Sequence, residues 1–337
     1  MKMPIAPTDP QPLSAANARW AVEQACRAPS LHNTQPWRFT FDGDRFDLYA
    51  DTSRGLTATD PDSRELVLSC GAALYNLRVA LRKLGYHGAP TLLPNRMNPR
   101  LLASIAVTES APAGAEDRRE YAALTRRHTH RGPFEDRPLE PELAYRLQRA
   151  ADEQAAHLIF VPDPGQRRRI LHLARAAERE QQADERVAGE LAAWTPAPGV
   201  RRRDGVPATA YSSEPQMPAN DLPQRDFDQG RGFGQADSHD PPPGVLAVLA
   251  TPTDLQPDWL RGGQALERVL LVAAEQWAFA ALHSPLTEVP HLRAELRREL
   301  CTSAHPQILL RFGYAPETTI TPRRPVDDVL DLTSTGR

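Results

Sequence analysis

Between Ala28 and Phe39 the chain sets several hydrogen-bonding side chains close together. Within eight residues it offers the Ser30 hydroxyl, the His32 imidazole and the Asn33 and Gln35 carboxamides. Pro29 and Pro36 stiffen the stretch, because a proline ring fixes φ, and Trp37 anchors its end. Hydroxyls and carboxamides are neutral groups that both donate and accept. The set suits a planar, neutral heterocycle whose edge alternates C=O and N–H. It suits a phosphate less well and a metal poorly. The same residues are also ordinary company in a loop that follows a helix, and the residues alone leave both readings open.

A second segment runs Arg126-Arg127-His128-Thr129-His130-Arg131-Gly132-Pro133-Phe134. Its arginines surround two histidines and the Thr129 hydroxyl. Guanidinium forks match phosphate oxygens two at a time. The alternative is a solvated basic loop. Zinc fits badly, since His128 and His130 sit among cations without Cys or carboxylate company. A third, weaker segment is Gln307 to Pro316, followed by Pro322-Arg323-Arg324-Pro325, where Arg323 and Arg324 are further cations for a phosphate. No G-x-G-x-x-G or G-x-x-x-x-G-K-[ST] occurs, so side chains rather than a glycine-rich backbone would grip a phosphate. Serine-hydrolase, zincin and EF-hand patterns are absent too. Ser30 and His32 are too close in sequence for a triad pair.

The elements that position these segments can be read from periodicity. Ser14 caps a helix running to about Arg27, and Ala28-Pro29 stops it. Residues 37–41 and 46–50 alternate around Asp42-Gly43, a hairpin signal. Asp62 and Glu65 read as a capping box. The helix behind them carries Leu66, Leu74, Leu77, Leu81 and Leu84 and ends at Gly85. Leu101 to Val107 reads as a strand, and residues 110–117 as a polar linker. Further on come a helix after Pro141, a strand at His157–Val161 and a long charged helix from Gln166 to about Trp194. Residues 195–244 are rich in Pro and Gly and cannot form a regular core element. They read either as a disordered insertion or as a lid over a site. Val245–Thr251 is a buried strand. Asp258 starts a core helix that is apolar from Val269 to Leu282, and a shorter helix covers His291–Leu300. Ile308–Phe312 is the last strand. This mixture predicts an α+β fold with helices packed on mainly antiparallel sheets.

Composition narrows the partners. The 337 residues carry 40 Lys+Arg and 43 Asp+Glu, a net charge of -3. That balance argues against a general nucleic-acid binder and gives no reason to expect an anionic membrane surface. Proline reaches 33 residues, about twice the usual ~5%, so long loops are expected. Cys26, Cys70 and Cys301 are far apart, which excludes a disulfide framework and a paired-cysteine zinc site and fits a reducing cytoplasm. The start of the sequence lacks the apolar core of a signal peptide, and the most apolar run is too short to span a bilayer.

Taken together, the three segments resemble the FMN-dependent nitroreductase superfamily, and most closely its Acg branch of FMN-binding oxidoreductases. Ala28 to Phe39 resembles the superfamily's APSxxNxQPWRF stretch, Arg127 to Phe134 its Arg-rich opening, and Leu309 to Pro325 its closing strand and basic follow-up. Cys70 to Leu81 resembles this branch's helix. The resemblance covers most of residues 14–330. It implies a nitroreductase-like fold with FMN as cofactor. In ordinary members the Arg-rich motif precedes the APS motif; here the APS motif comes at residue 28 and the Arg-rich one at 126. That order implies two fused nitroreductase-like halves, 14–115 and 116–337, forming an internal pseudo-dimer with one composite FMN site. Residues 1–13 would be a flexible tail, and the chain a monomer.

On this resemblance Arg127, Thr129 and Arg131 would hold the FMN phosphate, helped by Arg323 or Arg324. Ser30, Asn33 and Gln35 would hydrogen-bond the flavin ring or ribityl chain, with Pro29 and His32 packed nearby. His128 replaces a more usual Arg or polar residue. Ser284, in the stretch His283–Thr287, would lie near flavin N5. Flavin carries the redox chemistry itself, so no catalytic side chain and no metal are required. NAD(P)H would reduce FMN, and a nitroaromatic, quinone or similar small molecule would accept the electrons. A flavin-binding or sequestering protein, its cofactor closed under 195–244, is the competing implication. A scaffold with an empty site is a third.

Overall fold

The computed structural model describes residues 12–109, 111–132, 134–213, 221–235, 244–300, 302–315 and 321–333. Ser14 starts α1 (Ala15–Ala25) by accepting the Asn17 N–H at 3.1 Å. Leu13, expected in a loose tail, is buried in the core beside α1. Residues 1–11 of that tail, Pro133, Cys301, and residues 214–220 and 236–243 of the Pro/Gly-rich segment lie outside the described residues.

A first sheet has the order β11-β1-β2-β5-β4. It contains β1 (Trp37–Phe41), β2 (Arg45–Ala50), β4 (Thr91–Leu92), β5 (Leu101–Ala106) and β11 (Leu330–Leu332). A small ladder of β3 (Tyr86–His87) and β6 (Thr108–Glu109) stands apart. Burial alternates along β1, so one face packs on the core while the other meets solvent. Phe39, Phe46 and Leu48 pack on α2 (Arg64–Lys83) and α1. All pairings here are antiparallel except β1 with β11. The C-terminal segment therefore crosses back to the first sheet, which a simple division into 14–115 and 116–337 does not anticipate.

The second sheet, β7-β8-β10-β9, is antiparallel throughout. Its strands are β7 (His157–Phe160), β8 (Val245–Thr251), β9 (Ala278–His283) and β10 (His305–Tyr314). β8 reads Val-Leu-Ala-Val-Leu-Ala-Thr without alternation because helices cover both faces. Leu143 and Leu147 of α4 (Pro141–Asp152) and Leu266 and Val269 of α7 (Gln256–Glu275) meet Ala247, Leu249 and Leu310. On the other face, Ile170 of α5 (Pro164–Ala183) and Leu292 and Leu296 of α9 (Pro290–Glu299) meet Leu246, Val248 and Leu309. The class is the expected one: mixed, antiparallel-dominated, with packed helices.

Several boundaries differ from the sequence reading, each for a local reason. The expected Gln166–Trp194 helix breaks at Asp184, whose carboxylate accepts the Arg186 N–H and starts α6 (Glu185–Ala193). The expected apolar helix to Leu282 ends at Glu275, where Trp277 takes a left-handed φ of 57° and β9 begins. An apolar run without alternation does not distinguish helix from buried strand. Asp60, not Asp62, accepts the Leu66 N–H at 2.9 Å, because Ser63 turns the chain at φ 58°. Part of the expected linker is helical, forming α3 (Ala115–Arg126), and α8 (Pro285–Glu288) is one turn after β9.

The two long helices, α2 and α7, cross backbone to backbone. A Cβ on Gly263 would lie 2.0 Å from the Leu68 carbonyl and 2.8 Å from Gly71 Cα. A Cβ on Gly71 would lie 2.4 Å from the Leu260 carbonyl. Only glycine at both positions permits this approach. We therefore expect Gly263→Ala to cost about 3 kcal/mol or to prevent folding, at the upper end of overpacking penalties. The exposed helical Gly189 has open space, and Gly189→Ala is expected to stabilise by about 0.5–1 kcal/mol. Urea denaturation of the two variants checks both.

Candidate functional site

The loop leaving α1 is strained. His32, Asn33 and Gln35 have φ of 47°, 56° and 52°, each a conformation that costs about 1–3 kcal/mol for a non-glycine residue. Side chains hold it there. The Ser30 hydroxyl accepts the Gln35 N–H at 2.9 Å. Asn33 donates to the carbonyls of Gly205 (2.9 Å) and Pro322 (3.0 Å) and accepts from Arg323 at 3.1 Å. Gln35 donates to the Arg203 carbonyl at 2.9 Å and accepts the Arg324 N–H at 2.8 Å. Arg324 also donates to the Gln35 carbonyl at 3.1 Å and to the Asp328 carbonyl at 2.9 Å. Asn33 and Gln35, expected to hydrogen-bond a ligand, have these protein partners in the structure. Their polar groups bind segments 203–205 and 322–324 onto the loop. Arg324 serves that same junction.

Beside this junction lies a cluster of cations, Arg127 buried and Arg131 and Arg323 half-buried. Arg127, at the end of α3, donates to the Arg27 carbonyl at 2.7 Å, while its Nε and Nη1 have no hydrogen-bond partner. Its Nε lies 3.3 Å from the buried Glu267 carboxylate without hydrogen-bond alignment. Arg131 makes no hydrogen bond among the described residues; its guanidinium lies 5.9 Å from the Phe227 ring centre. Arg323 donates to the carbonyls of Arg27 (3.0 Å) and Ala28 (3.2 Å), and its Nε is unpartnered. Burial and the charge of Arg127 bring Arg131 down to about 10 and Arg323 down to about 9. Desolvated like charges held together in this way favour a bound anion. Thr129 lines the same pocket, beside an isolated bridge to Ala280 of β9.

His128 lines that pocket too, but as a poor anion ligand. Its Nδ1 lies 3.0 Å from the Arg126 carbonyl and must donate to it, which leaves Nε2 an acceptor. Burial lowers its pKa, and the ring stacks on Phe279 at 4.1 Å.

Thr129 and Arg131 also border a second, deeper cleft. Pro29, Ser30 and His32 form one wall; Leu282, His283, Ser284 and Pro285 form another. Leu68, Ser69 and Glu65 of α2 close the inner end. Tyr211, Leu222–Arg225 and Phe227, all from the Pro/Gly-rich segment, face them. That segment contains one short 3-10 turn at Ala208–Ala210 and an apolar cluster of Val206, Tyr211, Phe227 and Phe233. It is fastened by Arg225, which donates to Glu288 at 2.6 Å, to Gln181 at 3.1 Å and to His32 Nε2 at 3.1 Å. Because arginine only donates, His32 Nε2 is the acceptor and the ring proton sits on Nδ1. Burial, with Arg225 and Arg131 nearby, drives the His32 pKa well down. Burial and the Glu288 charge push Glu65 up to about 8 despite its 2.6 Å contact with Arg64.

The cleft and the pocket of the cation cluster share Thr129 and Arg131. Planar apolar surface lies at one end and unbalanced positive charge at the other. The donor set therefore fits a flavin mononucleotide: an anion at Arg127, Arg131 and Arg323, and a ring among Ser30, His32, Leu282 and Ser284. Sequence reasoning missed Glu267, Arg225 and Glu288, and named His283 only as part of the stretch His283–Thr287. A single Glu within the apolar face of α7 was a readable signal for Glu267. The others come together only through tertiary structure. Among the described residues no cluster of His, Cys, Asp or Glu could hold a metal, and no helix is long and apolar enough to cross a membrane.

No family model matches the chain. A protein of Mycobacterium tuberculosis provisionally named an NAD(P)H nitroreductase is 33% identical over 326 residues, covering 94% of this chain and 92% of its own. A second, provisionally named NAD(P)H nitroreductase acg, is 31% identical over 321 residues, with 93% and 94% covered. A solved nitroreductase with bound FMN from Bacteroides fragilis aligns over 61% of this chain and 92% of its own at 10% identity and a TM-score of 0.36. The chain belongs to the nitroreductase superfamily, on its Acg-like branch.

The junction generates a specific expectation. Asn33→Asp sets a carboxylate against the carbonyls of Gly205 and Pro322 and loses both donors. We expect it to cost about 2–3 kcal/mol, the scale of buried unsatisfied polar groups. Limited proteolysis should also cut near residues 199–205 faster than in the wild type.

Proposed function

We propose that this protein binds one FMN per chain and acts as an NAD(P)H-dependent oxidoreductase on a small nitroaromatic, quinone or similar acceptor. The observation that carries this reading is the group of guanidiniums at Arg127, Arg131 and Arg323, with N–H groups of Arg127 and Arg323 that have no partner among the described residues, in a pocket that shares Thr129 and Arg131 with the cleft. Membership of a superfamily whose Mycobacterium tuberculosis relatives carry NAD(P)H nitroreductase names supports it.

Bound FMN supplies the two-electron redox chemistry. The chain's own residues bind and orient it. Arg127, Arg131 and Arg323 neutralise the phosphate, with the Thr129 hydroxyl as a further donor. Ser30, Pro29 and His32 line the ring's edge, and the His32 Nδ1–H is available as a donor. The His32 N–H is a donating group that would favour added electron density on the ring. Ser284 and the apolar walls exclude water from the opposite side. The site draws on residues 29–32, 127–131, 282–285 and 323 of a single chain. This supports two fused nitroreductase-like halves sharing one composite site, with a monomer sufficient to build it.

A second reading has its own observation. Tyr211, Arg225 and Phe227 wall the cleft, and Arg225 ties that wall to His32 and Glu288. A lid of this kind over the ring favours a flavin-sequestering protein with little turnover.

Absorbance of the purified protein separates these outcomes. Flavin bands at one per chain are expected, and two per chain would contradict the composite site. Arg127→Ala and Arg131→Ala should each weaken FMN binding about 10–100-fold, the range for hydrogen bonds to a charged group. NADPH added without oxygen should bleach the bands of a working reductase. Bound FMN that stays oxidised would favour the sequestering reading.

A further inference from the structure

His283 is the last residue of β9 and lines the cleft together with Ser30 and His32. Its side chain is 94% buried, being 6% exposed. Neither ring nitrogen has a hydrogen-bond partner among the described residues. Native proteins rarely leave a buried imidazole so unsatisfied. The nearby cations do not supply the missing partner. Arg311 donates to Asp221 at 2.6 Å, and Arg225 donates to Glu288 at 2.6 Å. Neither guanidinium meets a ring nitrogen of His283 in hydrogen-bond geometry. Leu282, Ile308 and Leu266 give the rest of this region an apolar lining. Burial, with Arg225 and Arg311 close by, lowers the His283 pKa to about 3, so the ring is neutral and carries one donor and one acceptor.

We propose that His283 is a ligand-facing hydrogen-bonding residue of the cleft, which takes an oxygen on the edge of a planar aromatic ring. A ring carbonyl or a nitro oxygen has this chemistry. It has two possible sources, the dione edge of bound flavin and an oxygen of the electron acceptor. The inference rests on the reading that the cleft takes a planar redox ring. It adds a residue that positions the ring edge and discriminates against rings lacking that oxygen.

The test uses the full chain with His283→Phe, which removes both nitrogens, and His283→Gln, which restores a donor and an acceptor. FMN affinity of the flavin-free protein is measured by fluorescence quenching. Affinity for 1,4-naphthoquinone is measured on flavin-free and on oxidised, FMN-loaded protein, without reductant. The melting temperature of the flavin-free protein is the control. His283→Phe should bind at least one of the two rings about tenfold more weakly, the scale of one lost hydrogen bond. Its melting temperature should be unchanged or raised, because an unsatisfied buried group has gone. His283→Gln should bind within about threefold of the wild type. Weakened FMN binding assigns the oxygen to the flavin; weakened naphthoquinone binding alone assigns it to the acceptor. Wild-type affinities for both rings in His283→Phe would overturn the proposal. If that variant does not fold, His283→Leu takes its place in the same measurements. A wild-type protein that binds naphthoquinone but not FMN sinks the flavin reading while the naphthoquinone arm still tests His283. A wild-type protein that binds neither overturns both.

Discussion

The carboxamides of Asn33 and Gln35 hold three distant stretches of backbone in one place: the loop after α1, residues 203–205, and residues 322–324. Each amide group is used, donors on carbonyls and oxygens under arginine N–H groups. His32, Asn33 and Gln35 remain in left-handed conformations that are costly for residues other than glycine. That junction sets where Arg323 enters the cation cluster and where the Pro/Gly-rich segment begins its path across the cleft. The site's two ends are therefore positioned by neutral amides rather than by the charged groups that give the site its character.

The charged groups form a balance of a different kind. Arg127 has Glu267 beneath it but no aligned hydrogen bond, and Arg131 and Arg323 have no carboxylate contact. Elsewhere in the cleft Arg225 is paired with Glu288 and Arg311 with Asp221. Uncompensated charge is concentrated at one end, and the imidazoles His32 and His283 are held neutral at the other. A ligand with an anionic tail and an uncharged ring matches that polarity.

Much of this was legible in the sequence. The hairpin around Asp42-Gly43, the Ser14 cap, the leucine-spaced α2 and the strand at 245–251 all follow from local periodicity and turn chemistry. The residue types of segments 28–39 and 126–134 already pointed to a neutral ring and an anion. The division of labour within them was not legible. Whether Asn33 faces a ligand or the Gly205 carbonyl depends on a segment 172 positions away, and no local pattern encodes that. The β9 boundary was hidden because Ala-Phe-Ala-Ala-Leu has no period of its own and follows an equally apolar helix. The crossing of the C-terminal segment to β1 was hidden because a three-residue strand carries almost no signal.

That crossing bears on how the protein is made. Arg323 and Asn33 are 290 positions apart, so the loop that opens the site is synthesised long before the arginine that completes it. Until β11 docks beside β1, the first sheet has an open edge at its most aromatic strand, a template for pairing with other chains. Closing so long a loop costs little more in entropy than closing a shorter one, but it delays the contact. A nascent chain therefore lacks the complete group of arginines until residue 323 has been made and has docked.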